Sequence, residues 1–502
     1  MSDDRAVTFE RLDAAYREAV AAACVPDAAW GVVLDGRLVH SGGAGSRDTA
    51  GSRDTAGSRD TAGSRDTAGS RDRAVPDERT VFRIASMTKS FTAATVLGLR
   101  DEGLLRLDDP VAVHVPEASA IHGPTLDSPA ITVRHLLSMD AGFATDDAWA
   151  DRHLDLTPGD LDGILGRGVT FAAAPGTALE YSNLGYALLG RIVESVTGSS
   201  CRDVIDDRLL RPLGMTDTVW DVPSDGRRIA VGHRLLDGVA VGDGEPLGHG
   251  AFGPMGGLWS TVADLARWVA FLLDAFPPRD DADEGPLRRS TRREMQRVWR
   301  STPVTIDRAE PEHPRLTPAG YGAGLFLLDD EQVGRCVAHS GGLPGFGSNM
   351  FWMPDRRLGV VSLGNLRYAP MGTINRKVLH ALAGEGLLDG LAPAAAHPVS
   401  APLADAIARL VALVNAWNDD RARELFADNV ELDDDLGRRA SDAAALVERC
   451  GPLTVQSVRA TRATSATADL AGERGTTQVR IELNPAVPPR VQWYSLTGSD
   501  DR

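Results

Sequence analysis

Apolar and polar residues follow helical spacing in several stretches of this 502-residue chain. Apolar positions that recur every three or four residues predict amphipathic helices, because such positions share one helix face. The opening MSDDRAVTFERLDAAYREAV has this pattern, as does an apolar run that begins at Ser86 and ends near Leu104. Thr132 is a candidate N-cap for a helix in TVRHLLSM. Further helices are predicted in LGYALLGRIVESVTG, TVADLARWVAFLLDAF, LADAIARLVALVNAW, SDAAALVERCG and the stretch after Tyr368.

Strand patterns occur at three places in the chain. AAWGVVLDGRLVHSGG predicts two strands joined by a tight turn at Asp35-Gly36. Between Tyr321 and Asn365 the apolar runs YGAGLFLLD, VGRCVAHSG, NMFWMP and LGVVSLGN follow one another closely. Their short connections predict antiparallel neighbours. Two more strands are predicted near the end, in TTQVRIEL and RVQWYSL.

Two segments of biased composition divide the chain. From residue 45 to residue 74 the hexamer GSRDTA recurs, with a last copy GSRDRA. Each copy offers almost no apolar surface to bury, so we predict a disordered, solvated insert without a function of its own. Residues 392–402, APAAAHPVSAP, have the composition of a linker. We therefore predict a first domain over 1–391 and a small C-terminal α+β domain of unknown role over 403–502.

Composition limits the possible partners. The formal net charge is −17, which argues against nucleic acid or an anionic membrane as a partner. No stretch of 18 uncharged apolar residues predicts a membrane span, and the acidic start lacks a signal-peptide pattern, so we expect a cytoplasmic protein. The four cysteines are widely separated and are expected to be buried free thiols. No metal-ligand spacing is present, so no metal and no cofactor are predicted.

Lysine is rare in this chain, and one of the two lysines follows a serine by three residues. Among 53 lysines and arginines, only Lys89 and Lys377 are lysines. Ser86 and Lys89 form S-x-x-K at a helix start, where positions i and i+3 share a face. A serine hydroxyl becomes a good nucleophile when a base removes its proton, and lysine can lose a proton whereas arginine cannot. The alternative is an ordinary capping serine beside a solvated lysine.

Two further motifs are candidates for the same site. Tyr181-Ser182-Asn183 is the chain's only Y-x-N. A phenol beside a lysine can relay protons and an amide can hold a substrate carbonyl, although a buried tyrosine followed by a capping asparagine would look the same. His339-Ser340-Gly341-Gly342 ends a predicted strand, but HSGG also occurs at residues 40–43. Position favours the copy at 339, which lies in the strand cluster.

The three motifs, Ser86-x-x-Lys89, Tyr181-x-Asn183 and His339-x-Gly341, in this order resemble the serine β-lactamase/penicillin-binding-protein superfamily. The branch that the chain resembles includes class C β-lactamases, D-alanyl-D-alanine peptidases and related esterases, and the resemblance spans roughly residues 9–382. It implies an α/β fold of the α+β type: an antiparallel β-sheet flanked by helices, beside a helical lobe that contains Tyr181. The site is then expected in the groove between sheet and lobe.

The resemblance also implies a role for each motif residue. Ser86 would be the acylated nucleophile, with Lys89 and Tyr181 sharing the proton transfers. Asn183 would orient the substrate and hold Lys89. The backbone N–H groups of Ser86 and Gly342 would stabilise the oxyanion.

The third motif departs from that of the β-lactamases and peptidases, which generally have lysine where this chain has His339. A mostly neutral imidazole attracts a substrate carboxylate less than a lysine does. We therefore expect a serine hydrolase acting on a small-molecule ester or amide, with carboxylesterase favoured. A D-amino-acid peptidase or weak β-lactamase is the second hypothesis, and a non-catalytic binder of acyl ligands is the third. Met255 and the tryptophans near the strand cluster are candidates for an acyl pocket, with packing in the core as the alternative for each. The oligomeric state is left open.

Overall fold

The chain forms two compact units, Met1–Pro393 and Ala394–Arg502. The computed structural model describes residues 3–45, 75–303, 305–307, 315–392 and 398–498. Apart from Gly45, the repeat insert predicted for 45–74 lies outside the described residues, and so does part of the predicted linker.

Thirteen helices are described in the first unit. They are α1 Asp3–Ala22, α2 Thr88–Asp101, α3 Val111–His114, α4 Val133–Leu137, α5 Asp147–Ala150, α6 Pro158–Gly166, α7 Asn183–Thr197, α8 Cys201–Ile205, α9 Gly253–Gly256, α10 Val262–Leu273, α11 Arg289–Met295, α12 Met371–Gly384 and α13 Leu387–Leu391. The strands described in this unit are β1 Ala28–Leu34, β2 Arg37–Ala44, β3 Phe82–Arg83, β4 His233–Leu236, β5 Val239–Gly242, β6 Trp259–Ser260, β7 Arg300–Ser301, β8 Thr305–Asp307, β9 Arg315–Thr317, β10 Ala319–Tyr321, β11 Phe326–Asp330, β12 Gly334–Leu343, β13 Phe346–Met353 and β14 Leu358–Gly364.

Eight of these strands form one antiparallel sheet in the order β2-β1-β14-β13-β12-β11-β10-β7. The predicted hairpin closes where Asp35 and Gly36 both have positive φ, 49° and 79°, as a tight turn between twisted strands requires. The consecutive strands β10 to β14 pair with their chain neighbours, as their short connections predicted. The first hairpin then adds to β14. The predicted antiparallel sheet is therefore confirmed.

The sheet separates two hydrophobic cores. Alternate residues of β1 point to opposite faces, so Ala29 and Val33 join one core while Trp30 and Val32 join the other. Helices α1 and α12 cover the face of Trp30, and α10 packs on the opposite face. Because both faces are covered, β1, β13 and β14 are buried along their whole length. The predicted α+β architecture, a sheet flanked by helices, is confirmed.

A helical lobe lies beside this sheet. It contains two of the motif residues, Lys89 on α2 and Asn183 at the start of α7. Helices α2, α4, α7 and α9 contact one another, and α2 is buried over almost its whole length. The helix predicted from Ser86 to Leu104 is shorter than expected: Ser86 lies in a 3₁₀ turn, Ala85–Met87, and α2 follows it. Thr132 caps α4 as predicted, accepting a hydrogen bond from the His135 backbone N–H.

The second unit is a separate α+β fold. Its elements are α14 Ala401–Asn415, α15 Asp419–Leu425, α16 Asp428–Asp433, α17 Leu436–Cys450, β15 Thr454–Arg462, β16 Ser465–Ala471, β17 Thr476–Leu483 and β18 Val491–Gly498. The four strands form an antiparallel meander. Strands β15 and β16 were not predicted, because their inward positions are mostly small: Ala466 and Ala468 are buried, with Leu470.

Other expectations have mixed outcomes. Cys201, Cys336 and Cys450 are buried free thiols, but Cys24 is exposed, because it lies in the turn after α1 with a φ of 54°. Within the described ranges, no helix is long and apolar enough to cross a membrane. The same residues contain no group of three or more histidine, cysteine, aspartate or glutamate side chains placed to hold a metal ion.

Candidate active site

The structure brings Ser86 and Lys89 into direct contact. Lys89 is the second residue of α2, and its Nζ lies 2.9 Å from Ser86 Oγ in the preceding 3₁₀ turn. The residue before the serine, Ala85, has a φ of 50°, a left-handed conformation that costs energy for any residue with a Cβ. Strain of this kind is common where a backbone presents a nucleophile.

Lys89 has no contact with solvent and three polar partners. Besides Ser86 Oγ, its Nζ donates to Asn183 Oδ1 at 2.6 Å and to the Met255 carbonyl at 2.9 Å. Burial lowers the pKa of Lys89 to about 8, although the nearby carboxylates of Asp147, Asp151 and Asp146 act in the opposite direction. A substantial fraction of this amine is therefore neutral at slightly alkaline pH.

The partners of Lys89 determine where its lone pair points. Two of them, Asn183 Oδ1 and the Met255 carbonyl, are oxygens that can only accept. A neutral amine has two N–H groups, and these are directed at the two acceptors. The lone pair then faces Ser86 Oγ, the partner that can donate a proton. This is the geometry that a general base for Ser86 requires.

Tyr181 lies on the other side of the same serine. Its hydroxyl is hydrogen-bonded to Ser86, and its ring centre is 5.0 Å from Lys89 Nζ. Burial raises the pKa of Tyr181 well above 10, and the hydrogen bond with Ser86 only partly opposes this. The phenol is therefore protonated at neutral pH, so it can donate or relay a proton but is not itself a base in the free protein.

Asn183 connects the nucleophile to a group of carboxylates. While Oδ1 accepts from Lys89, Nδ2 donates to Asp147 Oδ1 at 2.7 Å, which fixes the orientation of the amide. The backbone N–H groups of Asn183 and Leu184 donate to the two carboxylate oxygens of Asp146, at 2.7 and 2.8 Å. Asp146 thereby caps α7 at its positive end and holds Asn183 in place.

His339 is buried and both of its ring nitrogens have partners. Nδ1 lies 2.6 Å from the Ser340 carbonyl, so it must be the protonated nitrogen, and Nε2 accepts from the Tyr321 hydroxyl at 3.1 Å. Burial and the neighbouring Lys89 lower the pKa of His339 to about 3. The imidazole is neutral at physiological pH and offers no positive charge to a substrate carboxylate.

The second copy of HSGG takes no part in this site. His40 is on β2, where Nε2 lies 2.9 Å from Asp13 Oδ1 and the ring stacks on Phe9. The copy on β12 instead passes directly beside the nucleophile turn. A Cβ at Gly341 would collide with the Ile84 carbonyl and would lie 3.0 Å from Ala85 Cβ. Gly341 is therefore required for this close approach.

The site opens into a cavity of about 510 Å³. The sequence-predicted residues Ser86, Tyr181, His339, Gly341 and Gly342 line it. Lys89 and Asn183 lie beneath its floor, fully buried. Met255 is buried in the core and contributes its carbonyl to Lys89, and neither it nor any tryptophan is among the described residues that line the cavity.

Asp147, Asp151 and Tyr368 are among the lining residues that sequence reasoning missed. The Tyr368 hydroxyl donates to Asp151 Oδ2 at 2.8 Å. Burial raises the pKa of Asp151 to about 6. For the two aspartates, the available signal was the stretch FATDDAWAD, residues 143–151, which places three carboxylates within six residues.

The chain was compared with known proteins. A sequence model of the family described as Beta-lactamase matches residues 12–385. Protein flp of Staphylococcus aureus (strain MW2) is 30% identical over 298 residues, which cover 58% of this chain and 54% of flp. An uncharacterized Mycobacterium tuberculosis protein (strain CDC 1551 / Oshkosh) is 30% identical over 339 residues, 59% of this chain and 80% of that protein. The chain thus spans about half the length of flp.

Solved structures share the fold at low sequence identity. The octameric penicillin-binding protein homologue from Pyrococcus abyssi has a TM-score of 0.60 and 22% identity, over 95% of this chain and 91% of that one. A class C beta-lactamase mutant has a TM-score of 0.56 and 19% identity, and the match covers 76% of this chain and 99% of the mutant. A D-stereospecific amidohydrolase from Streptomyces sp. has a TM-score of 0.52 and 24% identity, and the match covers 74% of this chain and 98% of the amidohydrolase.

Proposed function

We propose that this chain, which belongs to the beta-lactamase family of serine hydrolases, cleaves small-molecule esters or amides through an acyl-enzyme on Ser86, with a carboxylic ester favoured. One observation supports this most strongly. The Nζ of the buried Lys89 lies 2.9 Å from Ser86 Oγ, and Asn183 Oδ1 and the Met255 carbonyl are acceptors for two N–H groups, so a neutral amine has its lone pair left for Ser86. A protein that only bound acyl ligands would have no use for this arrangement.

In the acylation step that we propose, neutral Lys89 takes the proton of Ser86 Oγ as the oxygen attacks the substrate carbonyl carbon. The negative charge moves to the carbonyl oxygen, which the backbone N–H groups of Ser86 and Gly342 stabilise; one such donor contributes ~2.7–4 kcal/mol. When the carbon–oxygen bond to the alcohol breaks, the Tyr181 hydroxyl passes the proton from Lys89 to the leaving group. The products are an acyl-Ser86 ester and a free alcohol.

Deacylation reverses the proton path with water in place of the alcohol. As the water attacks, the Tyr181 hydroxyl relays one proton from the water to neutral Lys89, and the carbonyl carbon passes again through a tetrahedral oxyanion. The bond to Ser86 Oγ then breaks and the serine recovers its proton. The carboxylic acid product leaves, and the starting protonation state is restored.

The neutral His339 supports an ester in preference to a β-lactam or a C-terminal D-alanyl peptide. Those substrates bear a carboxylate that needs a cation nearby, and both nitrogens of this imidazole are occupied within the protein. The net charge of −17 likewise supports a small-molecule substrate rather than nucleic acid.

The test combines a fluorophosphonate probe with p-nitrophenyl acetate, on the unaltered chain, on Ser86→Ala and on the matched control Ser199→Ala. Ser199 is exposed after α7. We expect labelling of the Ser86 peptide and ester turnover in the unaltered chain and the control, and neither in Ser86→Ala. An unaltered chain that neither labels nor turns over would favour the non-catalytic binder. Nitrocefin and D-alanine p-nitroanilide then test the β-lactamase and peptidase alternatives.

A further inference from the structure

Arg83 is a buried cation without a protein partner. It lies on β3, three residues before Ser86, and is only 3% exposed. Its Nε is buried with no hydrogen-bond partner, and within the described residues no acceptor or carboxylate is hydrogen-bonded or ion-paired to the rest of the guanidinium. The Trp259 ring, 5.5 Å from Cζ, supplies no net charge. A buried charge is normally paired because its desolvation is costly, so this cation requires an explanation.

Arg83 lines a cavity of about 130 Å³. Of the described residues that line this cavity, only Asp151 also lines the cavity above Ser86. At ~10–15 Å³ for each water-sized group, the Arg83 cavity has room for a small organic molecule. A guanidinium with free N–H groups on the wall of such a cavity is suited to receive an oxyanion, because its N–H groups form charge-assisted bonds with two oxygens at once.

Most other charged residues of this lining do not neutralise Arg83. The carboxylate of Asp243 is engaged by Arg367, whose Nε donates to Oδ2 at 2.8 Å. Arg152 and Glu245 are exposed and of opposite sign, so their charges are screened by solvent. The buried cation of the cavity is therefore Arg83.

Asp151 is the remaining charged residue of the lining. Its Oδ2 accepts from Tyr368 at 2.8 Å, while Oδ1 has no hydrogen-bond partner in the described part of the chain. Burial raises the pKa of Asp151 to about 6, and its charge acts on Arg83 without an ion pair between them. The groups near enough to act on the charge of Asp151 are Arg83, Tyr368, Lys89, Asp146 and Asp147. A protonated Asp151 donates to a bound oxyanion, whereas an ionised one repels it.

We propose that this cavity is a binding site for a small carboxylate, which accepts hydrogen bonds from the Arg83 guanidinium and from the protonated form of Asp151. The single buried cation favours a carboxylate over a phosphate, because it balances one negative charge, and the second charge of a phosphate dianion would face Asp151. The site is independent of the proposed hydrolase function, because Arg83 does not line the cavity above Ser86.

Hydration of Arg83 is the competing explanation. Water in the cavity would satisfy the N–H groups of the guanidinium but would bring no charge. A hydrated arginine predicts no difference between an anion and its uncharged isostere, whereas an anion site predicts a strong preference for the anion. Comparison of such a pair therefore separates the two explanations.

The experiment measures the dissociation constants of propionate and of propionamide, its uncharged isostere, by saturation-transfer NMR on the full chain at pH 7 and constant ionic strength. We expect saturable binding of propionate and about tenfold or more weaker binding of propionamide. Inorganic phosphate is measured by its displacement of propionate at pH 8, where it is mostly a dianion. We expect phosphate to bind more weakly than propionate.

Two variants complete the test, with the exposed Arg106→Gln as the control for a lost positive charge. We expect the Kd of propionate to rise about tenfold or more in Arg83→Gln and to change less than about twofold in Arg106→Gln. In the unaltered chain the Kd should fall about tenfold between pH 8 and pH 6, as Asp151 takes up its proton. In Asp151→Asn the amide donates at every pH, so we expect a Kd at pH 8 about tenfold below that of the unaltered chain and no change down to pH 6.

The site would be overturned if the unaltered chain did not bind propionate saturably, if propionamide or phosphate bound as tightly, or if a folded Arg83→Gln kept the same Kd. Circular dichroism establishes whether Arg83→Gln folds. If it does not fold, Asp151→Asn decides, because an unchanged Kd and pH dependence in that variant would overturn the proposal. Turnover at Ser86 enters none of these measurements, so a failure of the proposed hydrolase function leaves their outcome unaffected.

Discussion

The two lysines of this chain lie in opposite surroundings. Lys89 is fully buried beneath the cavity and holds three polar partners, whereas Lys377 is exposed on α12, on the far side of the sheet from α10. The same contrast separates the two HSGG copies: His339 is buried beside the nucleophile turn, and His40 pairs with Asp13 on the edge strand β2. The same residue type thus has a different proton affinity where it is buried.

The replacement of each lysine by arginine tests this contrast most strongly. Because an arginine cannot lose its proton in a protein, Lys89→Arg removes the base while keeping the charge. We expect kcat/KM for p-nitrophenyl acetate to fall about 10³-fold or more, and Lys377→Arg to stay within about twofold. A Lys89→Arg enzyme with nearly unaltered kcat/KM would refute the general-base role.

The pH profile is the next largest effect. The proposed mechanism requires a neutral Lys89, whose pKa is lowered to about 8 by burial. Activity is therefore full above that pKa and is lost as the pH falls through it. We expect log kcat/KM to decline with a slope near one, about tenfold per pH unit, below the midpoint. A profile that is flat between pH 6 and 9 would contradict this assignment.

A variant sharpens the same measurement. The Asp147 carboxylate acts to raise the pKa of Lys89, so Asp147→Asn should move the midpoint of the profile to lower pH. A shift to higher pH would show that the carboxylate does not act on this amine through its charge.

Substitution of the two HSGG histidines, His339 and His40, is expected to change kcat/KM less than substitution of Lys89. His339→Asn removes the Nε2 acceptor of the buried Tyr321 hydroxyl, which keeps its hydrogen bond with the Tyr186 hydroxyl; the loss of one hydrogen bond costs about 0.5–1.5 kcal/mol. We expect kcat/KM to fall about tenfold for His339→Asn, while His40→Asn remains near the unaltered value. Equal effects of the two substitutions would remove the distinction between the copies.

The smallest expected effect concerns the outer wall of the cavity. Tyr368→Phe removes the hydrogen bond to Asp151, which acts to lower the pKa of that carboxyl. We expect KM for p-nitrophenyl acetate to rise about threefold, with a smaller change in kcat. A large loss of kcat instead would assign Tyr368 to the chemistry rather than to the wall.

Much of the fold was predictable because its signals are local. The hairpin at Asp35-Gly36, the Thr132 cap and the alternating strands after Tyr321 depend on residues a few positions apart. Strands β15 and β16 were missed because alanine at inward positions gives little hydrophobic contrast. The burial expected for Cys24 was wrong because the turn after α1 faces solvent.

The residues of the site also divide into those that local spacing predicted and those that only the tertiary structure brings to the cavity. Ser86 and Lys89 are three residues apart on one helical turn, so their contact was expected from spacing alone. Asp147 and Tyr368 approach the nucleophile from elements 61 and 282 residues away along the chain (147 − 86 and 368 − 86). Only the packing of the helical lobe against the sheet places them on the cavity wall, and no local pattern reports such a distance.

By itself, the sequence determined which groups can do chemistry: one lysine able to lose a proton, three residues after a serine, in a chain that otherwise uses arginine with a single further lysine. Tertiary structure decided how those groups behave. Burial lowers the pKa of Lys89, the Ser340 and Tyr321 partners keep His339 neutral, and two aspartates supply the charge of the cavity. The physical reason is that a proton affinity depends on desolvation and neighbouring charges, which exist only once distant segments have packed together.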